Sequence, residues 1–225
     1  MRTGCQCNQL PVEFGDDSTV HRWFQRWSLV GLWERLWASL VEHCEAFGAV
    51  HWEWQAADGA LGKARMGGGL VGPNPTDRGK PGTKRSLLVE AEGGPLSVVL
   101  AGANVHDTRL LRPTLEAIIV ERPSPIFFPQ HLSLDKAYDN PTGHLSARAA
   151  GYRAQIRRVG ETPYDGMQLR YPPRRWVVER TLAWLSKCRG LLVRYEKKPG
   201  NFLSLLKLAC ALIRYRCCWR LAPVL

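Results

Sequence analysis

The spacing of apolar residues changes twice along the 225-residue chain, and this constrains the fold more than any other feature. Between Ser18 and Cys44, apolar residues recur every three to four positions, which predicts two helices that separate at Gly31. From about residue 50, short apolar runs alternate with Gly- and Pro-rich turns, which predicts strands. Helical spacing returns from Pro172. Strands joined first as a hairpin and then alternating with helices predict a mixed α/β sheet covered by helices.

Individual segments in the middle of the chain have turn and cap signals that allow them to be assigned. The runs 85–90 and 96–101 are separated by Glu-Gly-Gly-Pro, which predicts a β-hairpin. The Gly- and Pro-rich segment 67–84 is expected to be a long exposed loop. The other expected elements are strands over 50–57, 131–134 and 152–157, and helices over 107–120, 142–150, 172–195 and 202–217.

The two N-terminal helices admit two interpretations. A pair of helices joined by a short Gly-containing turn is the pattern of a helix-turn-helix DNA reader. The same pattern is also that of a helical hairpin that packs on a core, and this is the interpretation we favour. Ser18 is the expected N-cap of the first helix, and Arg22 and Arg26 on that helix keep the DNA alternative open.

The net charge of +11 is distributed unevenly along the chain. Residues 1–150 contain 15 Lys and Arg against 16 Asp and Glu, whereas residues 151–220 contain 16 against four. Neutralisation of phosphates by Lys and Arg supplies most non-specific affinity for nucleic acids. Composition therefore favours a nucleic-acid partner over an acidic protein or a merely solvated basic surface.

The seven cysteines lack the paired CxxC spacing of a zinc site, and no secretory signal is evident. Reduced thiols in a cytosolic protein are the expectation from this pattern. The most apolar stretch, 202–213, contains Lys207 and is too short to cross a bilayer. We expect a soluble intracellular protein without a membrane partner.

Three acidic residues stand where they could hold a metal ion. Asp58 and Asp135 each follow an apolar run, and Glu179 lies inside a basic helical segment. Carboxylates in such a set hold Mg²⁺, which activates the nucleophile and stabilises the leaving oxygen in phosphodiester chemistry. Structural alternatives exist for each: an Asp-Gly turn at Asp58, a strand-end cap at Asp135, and an i,i+4 ion pair of Glu179 with Arg175. Spacing alone does not decide between them.

Several motifs in order along the chain resemble those of insertion-sequence transposases of the type four/five group. They are WQAADG (54–59), GPNPTDRGK (72–80), GTKRS (82–86), AGANVHD (101–107), LDKAYD (134–139), RRWVVERT (174–181) and NFLSLLKLACAL (201–212). The resemblance implies a ribonuclease-H-like core with a DDE triad at Asp58, Asp135 and Glu179. These three would be both the catalytic residues and the ligands of Mg²⁺ or Mn²⁺, in a two-ion site.

The resemblance also implies double-stranded DNA as the partner, both as terminal inverted repeats of the element and as target, with the protein acting as a homo-oligomer. Relatives have a Tyr, Arg, Glu, Lys pattern around the last acid, which Tyr171, either Arg174 or Arg175, Glu179 and Lys187 match approximately. Arg175, one helical turn before Glu179, is the Arg we favour. We expect Asp107 to cap a helix rather than to bind metal. The candidate DNA-binding residues are Arg78, Lys80, Lys84, Arg85, Arg174, Arg175, Arg180 and Lys187.

Relatives have a longer N-terminus, so residues 1–47 are interpreted as a shortened helical region ahead of a catalytic domain at 48–221. The expected function is metal-dependent cleavage at the ends of an insertion element and strand transfer into target DNA. The alternative is a catalytically silent, truncated remnant that only binds DNA. We expect a bacterial cytoplasmic protein associated with the nucleoid.

Overall fold

The structure is a computed structural model that describes residue 4 and residues 7–156 and 174–221. In chain order the elements are α1 (Asp17–Leu29), α2 (Leu32–Ala46), β1 (Trp54–Ala64), β2 (Gly72–Pro73), β3 (Pro81–Glu90), β4 (Pro95–Gly102), α3 (Asp107–Glu116), β5 (Gln130–Leu134), α4 (Pro141–Ala149), β6 (Tyr152–Ile156), α5 (Trp176–Ser186), α6 (Arg189–Leu192), β7 (Val193–Arg194) and α7 (Pro199–Leu221). Short 3₁₀ turns lie at 7–9, 12–14 and 136–138.

The seven strands of the described residues belong to one sheet, whose main strands follow the order β4-β3-β1-β5-β6. The pairs β4–β3 and β3–β1 are antiparallel, while β1–β5 and β5–β6 are parallel. The short strands β2 and β7 add to the ends of β3 and β1. The mixed sheet flanked by helices that the sequence predicts is confirmed, including the hairpin of β3 and β4.

The central strand β1 differs from its predicted course. It begins at Trp54 rather than at residue 50 and continues through Asp58 and Gly59 to Ala64. Asp58 pairs with Leu87 and Gly59 with Ser86 in the ladder with β3, so the Asp-Gly pair is not a turn. The predicted loop 67–84 is also shorter, because its last four residues belong to β3, a strand that is almost entirely buried.

The N-terminal helices form a hairpin, as favoured from the sequence. Asp16, two residues before the predicted cap, accepts a hydrogen bond from Thr19 N at 3.0 Å and begins α1. Gly31 adopts a left-handed conformation between the helices. Helix α2 buries Trp37 and Val41 against the core and packs along α7, whereas α1 buries none of its residues.

The cysteine expectation is wrong for one pair. Cys44 on α2 and Cys218 on α7 form a disulfide with a Cα–Cα distance of 5.8 Å. Their separation of 174 residues in sequence hides this pairing, which arises because α2 and α7 lie side by side. Within the described part of the chain, none of the helices is long and apolar enough to span a membrane.

Two helices are shorter than predicted. Helix α3 ends at Glu116 rather than near residue 120. The segment expected to be helical as far as Tyr195 divides into α5, the single turn α6 and the short strand β7. The predicted start of that segment at Pro172, and Arg157 at the end of the predicted 152–157 strand, lie outside the described residues.

Candidate active site

The parallel pairing of β1 with β5 brings Asp58 and Asp135 together. Gln55 pairs with Leu132 and Ala56 with Ser133, so Asp58 and Asp135 both lie two residues beyond the same pair. Side chains alternate along a strand, and two residues at equivalent positions on neighbouring strands therefore project from the same face of the sheet. The carboxylates predicted from the sequence as metal ligands are neighbours on one face.

The Asp58 carboxylate is partly buried, and this dominates its electrostatics. The pKa of Asp58 is raised to about 6, mainly by burial, and the negative charges of Asp135 and Asp107 contribute to this rise. The Gly59 N–H, which donates to Asp58 Oδ1 at 2.7 Å, and the Arg175 charge act in the opposite direction. The charge of Arg175 does not offset the effect of burial, so the ionised form of Asp58 is less stable than that of an aspartate in water.

Helix α5 carries Glu179 over the same region of the sheet. Val177, Val178 and Thr181 are buried, and α5 packs on β1 and β3. Thr181 Oγ1 donates to the Gly93 carbonyl at 2.7 Å, which ties the helix to the β3–β4 turn. Glu179 projects from the opposite side of α5, as its position relative to Val177 and Thr181 predicts, and its side chain is 47% exposed.

A single guanidinium joins the second and third acids. Arg175 Nη1 lies 3.0 Å from Asp135 Oδ1, and Arg175 Nη2 lies 3.0 Å from Glu179 Oε1. The i,i+4 pair of Arg175 and Glu179 proposed as a structural alternative is present, but it extends to the strand acid as well. Arg175 therefore connects α5 to the end of β5 through two carboxylates.

The donor set suits a divalent cation. Asp58, Asp135 and Glu179 offer only carboxylate oxygens, the ligands that Mg²⁺ and Mn²⁺ prefer. Two of these carboxylates already share one positive charge, that of Arg175. In the conformation of the described residues, no three His, Cys, Asp or Glu side chains converge closely enough to hold an ion. Binding would require the side chains to draw together around the ion.

Asp107 lies close to this site, and sequence reasoning assigned it another role. The cap of α3 is His106, whose Nδ1 accepts from Thr108 N at 3.4 Å, while Asp107 lies in the first turn. Asp107 Oδ1 is 3.0 Å from Lys84 Nζ, and a side chain at Gly59 would overlap its carboxylate. The absence of a side chain at Gly59 thus leaves room for Asp107. The Gly after Asp58 could have indicated a close contact at this position, but the sequence does not show with which residue.

Tyr138, in the same motif as Asp135, is a second residue that sequence reasoning missed. Its side chain is 1% exposed, and its hydroxyl has no hydrogen-bond partner among the described residues. Burial raises the pKa of Tyr138 far above its ordinary value, and the charges of Asp107, Asp58 and Asp135 contribute. The hydroxyl is therefore protonated and lies in the field of three carboxylates.

The structure separates the predicted DNA-binding residues into two groups. Lys84 was expected on an exposed loop and Arg85 at the start of the strand that follows, and both were expected to lie near DNA. Both are instead buried on β3. Lys84 Nζ donates to the Val105 carbonyl at 2.7 Å, and Arg85 Nη1 donates to the Leu191 carbonyl at 3.2 Å. Their charges serve contacts inside the protein.

The remaining candidates lie on different parts of the protein. Arg78 and Lys80 are exposed on the loop before β3, whose first residues pair with the C-terminal half of β1. Arg174 lies over the Trp54 ring, with 4.5 Å between its Cζ and the ring centroid. Arg180 lies between the rings of Trp176 and Trp184 and donates to the Glu92 carbonyl at 2.6 Å, and Lys187 is exposed at the end of α5.

Comparison with known proteins identifies the family of this chain. The family described as "Transposase DDE domain" matches residues 40–214, and the family described as "Putative transposase of IS4/5 family" matches residues 1–37. A curated relative from Burkholderia cepacia, "Putative transposase for insertion sequence element IS402", is 37% identical over 158 residues, which cover 69% of this chain and 71% of the relative.

Among solved structures, the catalytic domain of the Mos1 mariner transposase matches with 10% identity, covering 81% of this chain and 91% of that one. The TM-score of this match is 0.33. The family matches extend over most of the chain and include all three acids of the site. The chain belongs to the DDE transposase family of insertion sequences of the type four/five group.

Proposed function

We propose that Asp58, Asp135 and Glu179 are the catalytic triad of this transposase and hold two Mg²⁺ or Mn²⁺ ions. The observation that carries the proposal is the placement of Asp58 and Asp135 side by side on one face of the sheet, with Glu179 joined to Asp135 through Arg175. These carboxylates are supported by strands β1 and β5 and by helix α5, which is hydrogen-bonded to the β3–β4 turn. Rigid support of this kind is what a metal site for phosphoryl transfer needs.

Each acid has a defined task in this proposal. Asp58 and Asp135 anchor the ions from the sheet, and Glu179 completes the ligand set from α5. When bound, the divalent ions supply a Lewis acid that activates a water or a 3′-hydroxyl and neutralises charge on the phosphate. The chain itself holds the carboxylates in place and keeps Asp58 partly shielded from solvent, which strengthens its attraction to a cation.

The DNA path is proposed to follow the exposed basic residues around the acids. Arg175 contacts two of the acids, Arg174 directly precedes it, and Lys187 is exposed at the end of α5, while Arg78 and Lys80 would extend the surface from the loop before β3. Lys84 and Arg85 leave the proposed set because they are buried with internal partners. Arg180 remains a weaker candidate, since two Trp rings and a carbonyl already hold it.

The substrate proposed is duplex DNA that carries the terminal inverted repeats of the element, followed by target DNA. A relative named as the transposase of an insertion sequence element supports this choice. We propose further that the protein acts as a homo-oligomer on DNA at the bacterial nucleoid. Residues 1–47 would form the helical N-terminal region and residues 48–221 the catalytic domain.

The proposal is tested with purified protein, Mg²⁺ or Mn²⁺, and labelled duplexes that carry the ends of the element encoding it. Cleavage at the ends is expected from the wild type and from a Glu116→Ala control, which alters an exposed carboxylate at the end of α3, outside the site and the proposed DNA path. Asp58→Ala, Asp135→Ala and Glu179→Ala are expected to lose cleavage while they still bind the duplex. Cleavage that persists in these three variants would exclude the triad, and absence of cleavage by wild type would favour the silent remnant.

A further inference from the structure

The guanidinium of Arg175 contacts two of the three triad acids and acts electrostatically on the third. Its two terminal nitrogens are each 3.0 Å from a different carboxylate, and its charge lowers the pKa of Asp58. We propose that Arg175 is an internal counter-cation that competes with divalent ions for Asp135 and Glu179, and that DNA opens the site to metal by drawing Arg175 onto a phosphate. This inference rests on the proposed triad.

The competition follows from charge and geometry. Arg175 forms a two-point contact, and each carboxylate turns an oxygen toward it. A divalent ion held by the same two carboxylates would place two positive groups next to each other, which repel strongly in a partly desolvated site. Occupation by the ion and the double contact by Arg175 therefore oppose one another.

The local structure permits Arg175 to leave without disturbing the fold. Its side chain is 41% exposed, and the residue directly precedes α5 rather than lying within the helix. Helix α5 is held by the buried Val177 and Val178 and by the hydrogen bond from Thr181 to Gly93, not by Arg175. The guanidinium is thus free to exchange carboxylates for a phosphate, a pairing that suits its two-point geometry.

DNA binding and metal binding are coupled by this exchange. A phosphate that takes the guanidinium leaves Asp135 and Glu179 with uncompensated charge, so their affinity for a divalent ion rises. By linkage, the ion raises DNA affinity by the same factor. The consequence is a site that loads metal efficiently only once DNA is present, which restrains the nuclease in its absence.

Arg174 offers a matched control beside Arg175. It has the same charge and lies one residue earlier, but its guanidinium lies over the Trp54 ring. Substitution of either residue by Gln removes one positive charge from the same surface. Only Arg175→Gln removes the contact with Asp135 and Glu179.

The experiment measures the affinity of the full chain for Mn²⁺ by electron paramagnetic resonance, first without DNA. Arg175→Gln is expected to bind Mn²⁺ more tightly than the wild type, about fivefold or more, the lower end of typical coupling factors. Arg174→Gln is expected to match the wild type. Equal or weaker binding by Arg175→Gln, with a native circular dichroism spectrum, would overturn the inference.

A second measurement adds a short duplex to each protein. The Mn²⁺ bound by the mixture of Asp58→Asn protein and duplex serves as the baseline for ions that the DNA alone holds. The duplex is expected to tighten Mn²⁺ binding by the wild type and to have little further effect on Arg175→Gln. An unchanged wild-type affinity would contradict the coupling. If, without DNA, the Asp58→Asn protein binds Mn²⁺ as tightly as the wild type, the proposed metal site itself is wrong. This outcome is distinct from one in which only the proposed competition between Arg175 and the ion fails.

Discussion

Because the Asp58 carboxylate is partly buried, its charge is expected to lower the stability of the metal-free protein, and Asp58→Asn is expected to restore that stability. Burial raises the pKa of Asp58 from 3.8 to about 6, so the folded protein resists its ionisation. Because the folded pKa lies above the unfolded one, the protonated group stabilises the fold at low pH. This stabilisation is lost as the pH rises from about 4 through about 6. At neutral pH the charged Asp58 therefore destabilises the metal-free protein.

The size of the effect follows from the shift. A difference of roughly two pKa units corresponds to about 3 kcal/mol at 1.36 kcal/mol per unit. Asn has the same shape, carries no charge and still accepts the hydrogen bond from Gly59 N. Asp58→Asn is therefore expected to be about 2–3 kcal/mol more stable than the wild type at pH 7.5, or roughly 5–10 °C in Tm for a chain of this length.

The assay is urea denaturation followed by tryptophan fluorescence, with EDTA present, at pH 7.5 and at pH 4. The gain in unfolding free energy from Asp58→Asn should fall below about 1 kcal/mol at pH 4, where Asp58 of the folded wild type is protonated. Asp77→Asn, at an ion pair outside the site, serves as the control and should change stability by less than about 1 kcal/mol. An Asp58→Asn protein that is no more stable at pH 7.5, or whose advantage is independent of pH, would refute the reasoning.

Three further predictions concern the core, the site and the DNA surface. Glu90→Ala should cost about 3–5 kcal/mol in urea denaturation, because it leaves the buried Arg214 without its ion-pair partner, and a loss below about 1 kcal/mol would contradict this. Gly59→Ala should lower cleavage and Tm together because its methyl group overlaps the Asp107 carboxylate; unchanged values would show that Asp107 has room to move. Lys187→Ala should weaken duplex binding and reduce the salt slope by about one, whereas an unchanged slope would remove it from the DNA surface.

The sequence predicts what depends on local periodicity. The β3–β4 hairpin, the helical hairpin at the N-terminus and the outward orientation of Glu179 all follow from the spacing of apolar residues and turn signals. The i,i+4 contact of Arg175 with Glu179 is likewise local. The second contact of Arg175, with Asp135, needs the approach of α5 to the end of β5, which periodicity does not encode.

The errors at Lys84, at Arg85 and in the pairing of the cysteines have a common physical cause, since each involves a contact between residues distant in sequence. Lys84 ends the Gly- and Pro-rich segment, Arg85 follows it, and the charge of both side chains favours a position on the surface. Carbonyls of other segments accept their hydrogen bonds instead. The disulfide between Cys44 and Cys218 depends on the packing of α2 against α7. The contact of Asp107 with Lys84 and its closeness to Gly59 were missed for the same reason, because the approach of α3 to β1 and β3 is not visible locally.

The most direct test of the central claim is anomalous diffraction from crystals of the protein bound to duplex DNA and Mn²⁺. The claim is that Asp58, Asp135 and Glu179 form one metal site, and it predicts anomalous peaks within coordination distance of these carboxylates. It also predicts that Arg175 has moved from Asp135 to a phosphate. Peaks coordinated by other residues, or occupied sites that leave out Asp58 and Asp135, would contradict the claim.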